Sequence, residues 1–196
     1  MKHLIIYAHP NESSLNHCFM QTVIESLQVQ NNEIEVRDLY QLHFDPALSL
    51  DDMRGQRVGK VSEDVKREQD FISWADHIIF IYPIWWNGMP AILKGYIDRV
   101  MSYGFAYCYD QGVQKGLLKG KQVSIINTHG KSHTEYESMG MYKAFLLTSD
   151  NGIFKYCGLT INQHLYFEKA DKASPENIET WVNEIRNVFS TIATTK

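Results

Sequence analysis

The chain has 196 residues, 44% hydrophobic and 21% charged, which suits one soluble globular domain spanning residues 1–196 with a core of its own. A net charge of -4 offers no cationic footprint for a phosphate backbone, so nucleic acid is not an expected partner. Three cysteines, Cys18, Cys108 and Cys157, lie far apart without a CxxC pair; this argues against a disulfide framework or zinc site and for a reducing, cytoplasmic setting.

Strands and helices alternate along the chain. His3 to Ala8 is a short apolar run, read as a buried strand, and it is too short for a signal peptide or a membrane span. Ser14 to Gln28 follows, with Leu15, Phe19, Val23, Ile24 and Leu27 near helical spacing. Glu33 to Asp38 alternates charged and β-branched residues, as an edge-side strand does. Phe44 to Gly59 reads as an irregular stretch, either a loop or an arm on a partner subunit. Glu63 to Ala75 is a helix, His77 to Tyr82 a β-branched buried strand, and Pro90 to Met101 a helix with proline in its first turn. Gln122 to Asn127 is a further buried strand, Tyr136 to Tyr156 mostly helix, Thr160 to Phe167 a last strand and Pro175 to Ile192 a closing amphipathic helix. Strands separated by helices predict an α/β fold with a parallel sheet covered on both faces.

Open α/β sheets bind ligands beyond the carboxyl ends of their strands. Three segments are thereby singled out: His9 to Asn16, Pro83 to Met89 and Asn127 to Tyr136. The first lacks both GxGxxG and a P-loop Gly-Lys pair. It still offers hydroxyls, an amide, an imidazole and a helix N-terminus, whose free N–H groups favour phosphate; Ser13 or Ser14 equally serves as a plain helix cap. The second places Trp85 and Trp86 between Pro83 and Pro90. Two indoles on a surface connection call for a cover, either a flat aromatic ligand or a subunit interface.

Pro83 to Val100 closely resembles the PxxWxxxPAxLKxxxDRV signature of the flavodoxin-like NAD(P)H:quinone oxidoreductases, a group that includes small bacterial quinone reductases and the ancillary reductase of a potassium-efflux system. Leu4 to Pro10 resembles that family's LIxxAHP opening, Asn16 its helix-start Asn, Asp38-Leu39-Tyr40 a segment after the second strand, and Gly104 to Tyr107 its GxAY element. The resemblance implies a flavodoxin-like, doubly wound five-stranded parallel sheet of order 2-1-3-4-5. It implies a tightly bound flavin, FMN or FAD, with its phosphate near His9, Ser14, Leu15 and Asn16 and its ring against Pro83, Ile84, Trp85, Trp86 and Asn87. It implies NADPH or NADH as co-substrate, a quinone-like acceptor, hydride transfer at the flavin N5 by ping-pong turnover, and a homodimer. Tyr107, Cys108 and Tyr109 then line the acceptor pocket.

The third loop departs from the family. Asn127, Thr128, His129 and Gly130 stand where Thr-Thr-Gly-Gly is usual, so His129 replaces a glycine and either crowds the ring edge or donates a hydrogen bond to it. Tyr136 matches a downstream catalytic Tyr after a one-residue shift. The family's catalytic His falls near Met141 or Tyr142, leaving His133 as its substitute. His17, His43, His77 and His164 are scattered without metal-ligand spacing and read as structural or surface residues; no metal site is expected. Asp98 and Arg99 read as a charge pair or cap contact, Asp51 and Asp52 as solvent-facing, Trp181 as core, and Cys108 as a small hydrophobe. Two rival readings stand beside the enzyme: a flavin-binding regulatory subunit of a membrane transporter, and a one-electron flavodoxin-type carrier.

Overall fold

The computed structural model describes residues 1–192. Strands β1 (Lys2–Tyr7), β2 (Glu33–Asp38), β3 (His77–Pro83), β6 (Gln122–Thr128) and β7 (Thr160–Phe167) form one parallel sheet of order β2-β1-β3-β6-β7. Counted among sheet strands alone, this is the expected 2-1-3-4-5. Helices α1 (Leu15–Gln28) and α7 (Pro175–Ser190) cover one face; α3 (Glu63–Trp74) and α4 (Ala91–Val100) cover the other.

The strand period of two divides the core. Leu4, Ile6, Ile78 and Phe80 face α3 and α4, whereas Ile5, Tyr7, Ile79 and Ile81 face α1 and α7, and all eight side chains are fully buried. Serines cap the two helices of the second face, α1 and α7. The Ser14 hydroxyl accepts from the His17 N–H, and Ser174 forms a reciprocal capping box with Asn177 one residue before Pro175.

Three segments differ from the sequence expectation. Residues 44–59 are not wholly irregular: α2 (Leu50–Arg57) begins at a Ser49–Asp52 capping box. Asp52 does not face solvent, because its carboxylate meets the buried Arg99 guanidinium at 3.2 Å; Arg99 also bonds Asp64 at 2.7 Å and the Asp45 carbonyl at 2.8 Å. Arg99 thus ties α2 and the start of α3 to α4. A hairpin, β4 (Tyr107–Asp110) and β5 (Val113–Gly116), sits between α4 and β6, closed by Gln111 and Gly112 at φ 50 and 82. Positive φ at both central residues matches the twist of an antiparallel pair. The expected helix over 136–156 is broken into α5 (His133–Ser138), α6 (Met141–Phe145) and a π-helical stretch, Leu146–Lys155, with Gly140 at φ 69 between the first two. Among the described residues no helix is long and apolar enough to cross a membrane.

Candidate active site

The strands β1, β3 and β6 are neighbours in the sheet, so their carboxyl-end loops meet in one cleft of about 440 Å³. His9, Ser14, Leu15 and Asn16 enter it from the first loop, Pro83, Ile84 and Trp85 from the second, and Thr128, His129 and Gly130 from the third. The N-terminus of α1 opens onto it. The Ser14 hydroxyl accepts from the His17 N–H at 3.2 Å and lies 3.3 Å from the Tyr7 hydroxyl. His9 Nδ1 accepts from the Asn11 N–H at 3.0 Å, and burial lowers the His9 pKa, which favours that acceptor role. Its ring centroid is 5.6 Å from that of Trp85.

Asn16 is the polar centre of the cleft wall. Its Nδ2 donates to the Thr128 hydroxyl at 2.9 Å and joins the first loop to the third. Its Oδ1 is buried and has no partner among the described residues. A buried carbonyl oxygen without a donor is costly, so the atom is suited to a ligand hydroxyl or N–H.

The second loop turns tightly at Trp86 and Asn87, with φ of 50 and 58, and Trp85 and Gly88 exchange both backbone N–H···O bonds at 3.0 Å. Bulky side chains in the left-handed region cost of order 1 kcal/mol each and persist where the surroundings enforce them. The turn splits the two indoles. Trp85 lines the cleft, whereas Trp86 is fully exposed and does not line it. Asn87 faces a second cavity of about 400 Å³, which shares the Ile84 wall with the first and is bounded also by Tyr82, Asn127, Phe145 and His164.

The third loop is built around His129. Its Nδ1 lies 2.9 Å from the Lys131 carbonyl, so that nitrogen carries the proton and Nε2 is an acceptor in the neutral ring. Burial lowers the His129 pKa and favours that neutral form. The Tyr142 hydroxyl, pushed up to about 12 chiefly by burial, keeps its proton and donates to His129 Nε2 at 3.2 Å. His133 Nδ1, 2.6 Å from the same oxygen, is then the donor to Tyr142. The result is a directed chain, His133 Nδ1–H to Tyr142 O–H to His129 Nε2. Tyr136 stacks on His129 at 4.4 Å and 18°. Both His129 nitrogens are therefore engaged by the protein; the ring forms a wall of the cleft and has no spare donor for a ligand edge.

The structure does not bring all the expected residues together. Tyr107, Cys108 and Tyr109 lie on the β4–β5 hairpin and line neither cavity; the Tyr109 hydroxyl instead meets that of Tyr156 at 2.9 Å. Tyr142, which the sequence offered only as a misfit to a histidine position, bridges His129 and His133. Of the histidines read as structural or surface residues, His164 is structural: it is hydrogen-bonded to Asp150 and Asn127, both buried.

Comparison with known proteins agrees with this fold. The sequence profile of a family described as having a flavodoxin-like fold matches residues 1–189. An uncharacterized NAD(P)H oxidoreductase of Haemophilus influenzae is 41% identical over 184 residues, 90% of this chain and 91% of that protein. The NAD(P)H dehydrogenase [quinone] 1 of Rattus norvegicus is 31% identical over 210 residues, 95% of this chain and 77% of that one. The chain belongs to the flavodoxin-like NAD(P)H:quinone oxidoreductase family. Within that family, the NAD(P)H:quinone oxidoreductase from Methanothermobacter marburgensis superposes with a TM-score of 0.88 at 27% identity, covering 97% of this chain and 96% of that one.

Proposed function

We propose that the cleft binds a flavin, FMN or FAD, and that the protein is an oxidoreductase passing electrons from NADPH or NADH to quinone-like acceptors. The observation that carries this reading is the pairing of an open α1 N-terminus with the unpartnered, buried Oδ1 of Asn16 in one cleft. The residues present fit the group. The free N–H groups at Leu15 and Asn16 suit a phosphate, Asn16 Oδ1 suits a hydroxyl of the linking chain, and Pro83, Ile84, Trp85 and Gly130 suit a flat ring. A bound flavin supplies a two-electron hydride acceptor and donor at its N5, used by the two substrates in turn.

The chain's own residues orient and cover. Trp85 and His129 wall the cleft. His133 Nδ1, at the exposed end of that hydrogen-bond chain, donates to the Tyr142 hydroxyl oxygen; Tyr136 keeps His129 in line by stacking. A homodimer completes the site in this reading. The exposed Trp86 and the Tyr107-Cys108-Tyr109 hairpin, which line neither of the two cavities described, then serve a second copy, where the hairpin lines the acceptor pocket. The comparisons name oxidoreductases and do not favour the transporter-subunit reading.

The test is spectroscopic. Under anaerobic conditions, NADPH or NADH should bleach the visible flavin band of the purified protein and a soluble quinone should restore it. A flavin-loaded protein whose band answers to neither nicotinamide would refute the reading.

A further inference from the structure

The π-helical stretch Leu146–Lys155 exposes the wrong residues for a packed helix. Leu146 and Leu147 are about half exposed, at 45% and 56%, whereas Asp150 is buried at 4%. A carboxylate enters a protein interior only with a compensating partner, and π-helical turns gather at functional sites. Asp150 Oδ1 lies 2.8 Å from His164 Nδ1, and His164 Nε2 lies 2.8 Å from Asn127 Oδ1. The Asn127 amide can be oriented in only one way. Its Nδ2 faces two carbonyls, Tyr82 O at 2.9 Å and Ile126 O at 3.3 Å, so Oδ1 must be the atom toward the imidazole. His164 Nε2 therefore donates to Asn127 Oδ1, and Nδ1 faces the Asp150 carboxylate, an acceptor when ionised.

The other groups around the ring fit this arrangement. Tyr166 stacks on it at 4.1 Å, with its hydroxyl 3.1 Å from the same Nδ1. Burial and the nearby Asp150 charge hold the Tyr166 hydroxyl in its protonated form, and burial pushes the Tyr82 hydroxyl, from β3, up to about 12. Across the second cavity, Lys94 of α4 is spent on Asp98 at 2.6 Å.

We propose that Asp150 and His164 are positioning residues for the cleft. Asp150 holds His164 doubly protonated, His164 Nε2–H holds Asn127 Oδ1, and the Asn127 amide fixes the ends of β3 and β6, from which Pro83, Ile84, Thr128 and His129 project. The functional part of the proposal rests on the flavin reading of that cleft; the protonation part does not.

Nitrogen-15 NMR of the histidine-labelled full chain at pH 7, with His164 assigned by loss of its signals in His164→Gln, should show two ring N–H groups on His164. Asp150→Asn should reduce these to one and weaken flavin binding about tenfold. The double variant Asp150→Asn with Asn127→Leu should bind flavin no more weakly than Asn127→Leu alone, since the two changes act through one chain. A single ring N–H on wild-type His164 overturns the proposal. Additive losses in the double variant, or less than a twofold loss in Asp150→Asn, also overturn it. A wild-type chain that takes up no flavin sinks the cofactor reading instead, while the N–H count still decides the Asp150–His164 arrangement.

Discussion

His3 and His77 give the chain a calculable sensitivity to acid. Both rings are fully buried, neighbours on β1 and β3, with their Nδ1 atoms 3.1 Å apart and His77 Nε2 2.9 Å from the Ser124 hydroxyl. Burial is the main cause that lowers their pKa values from 6.5, to about 4 for His3 and about 3 for His77; the charged N-terminus adds to the first and His3 to the second. In the unfolded chain each ring takes up its proton near pH 6.5; in the folded chain neither does until far lower. Unfolding therefore gains protons below pH 6.5, and stability falls as pH falls, with little change above pH 7. At pH 5.0 each ring lies about 1.5 pH units below its unfolded pKa and still neutral in the fold. That costs about 2 kcal/mol per ring, about 4 kcal/mol for the pair. A loss of that size is a large share of the 5–15 kcal/mol typical of a domain. Urea unfolding of the flavin-free protein at pH 7.5, 6.5, 5.5 and 5.0 measures it directly. The midpoint should hold to about pH 7 and then fall steadily. His3→Gln should flatten the slope by about half. A midpoint unchanged from pH 7.5 to 5.0 would show that the buried pair does not titrate as the burial requires.

Three substitutions probe the frame and the cleft. Arg99→Met should cost about 3–5 kcal/mol by thermal or urea unfolding, because it strands the Asp52 carboxylate that the guanidinium holds against α4. Gly95→Ala should destabilise by about 1–3 kcal/mol, since a Cβ there would lie 2.2 Å from the Pro46 carbonyl oxygen and push residues 44–59 off α4. Asn16→Leu should weaken flavin binding at least tenfold in a fluorescence titration, with the far-ultraviolet circular dichroism unchanged; equal affinity would remove Asn16 from the site.

The sheet was legible because β1, β3 and β6 are continuous runs of buried, β-branched residues, and a parallel sheet covered on both faces demands such runs. The cleft was legible by the strand-end rule, which put His9, Asn16, Pro83 and Thr128 at one rim without any contact being known. The hairpin at 107–116 escaped because its strands are short and of mixed polarity, and its turn signal, Asp110-Gln111-Gly112, is weak. The Ser49–Asp52 capping box that starts α2 was present in the sequence but lay in a stretch without apolar period. The π-helical stretch escaped for a different reason: its wider turn moves Ser149 and Asp150 inward, where a 3.6-residue period does not place them together. His164 read as scattered because its partners are 14 and 37 residues away, joined only by the packing of β7 and the π-helical stretch beside β6.

The central claim is that the cleft at the ends of β1, β3 and β6 holds a flavin. The most direct measurement is the visible absorption spectrum of the protein after incubation with FMN or FAD and passage through a desalting column. About one flavin retained per chain, lost in Asn16→Leu, is the predicted result. A colourless wild-type protein that retains neither would contradict it.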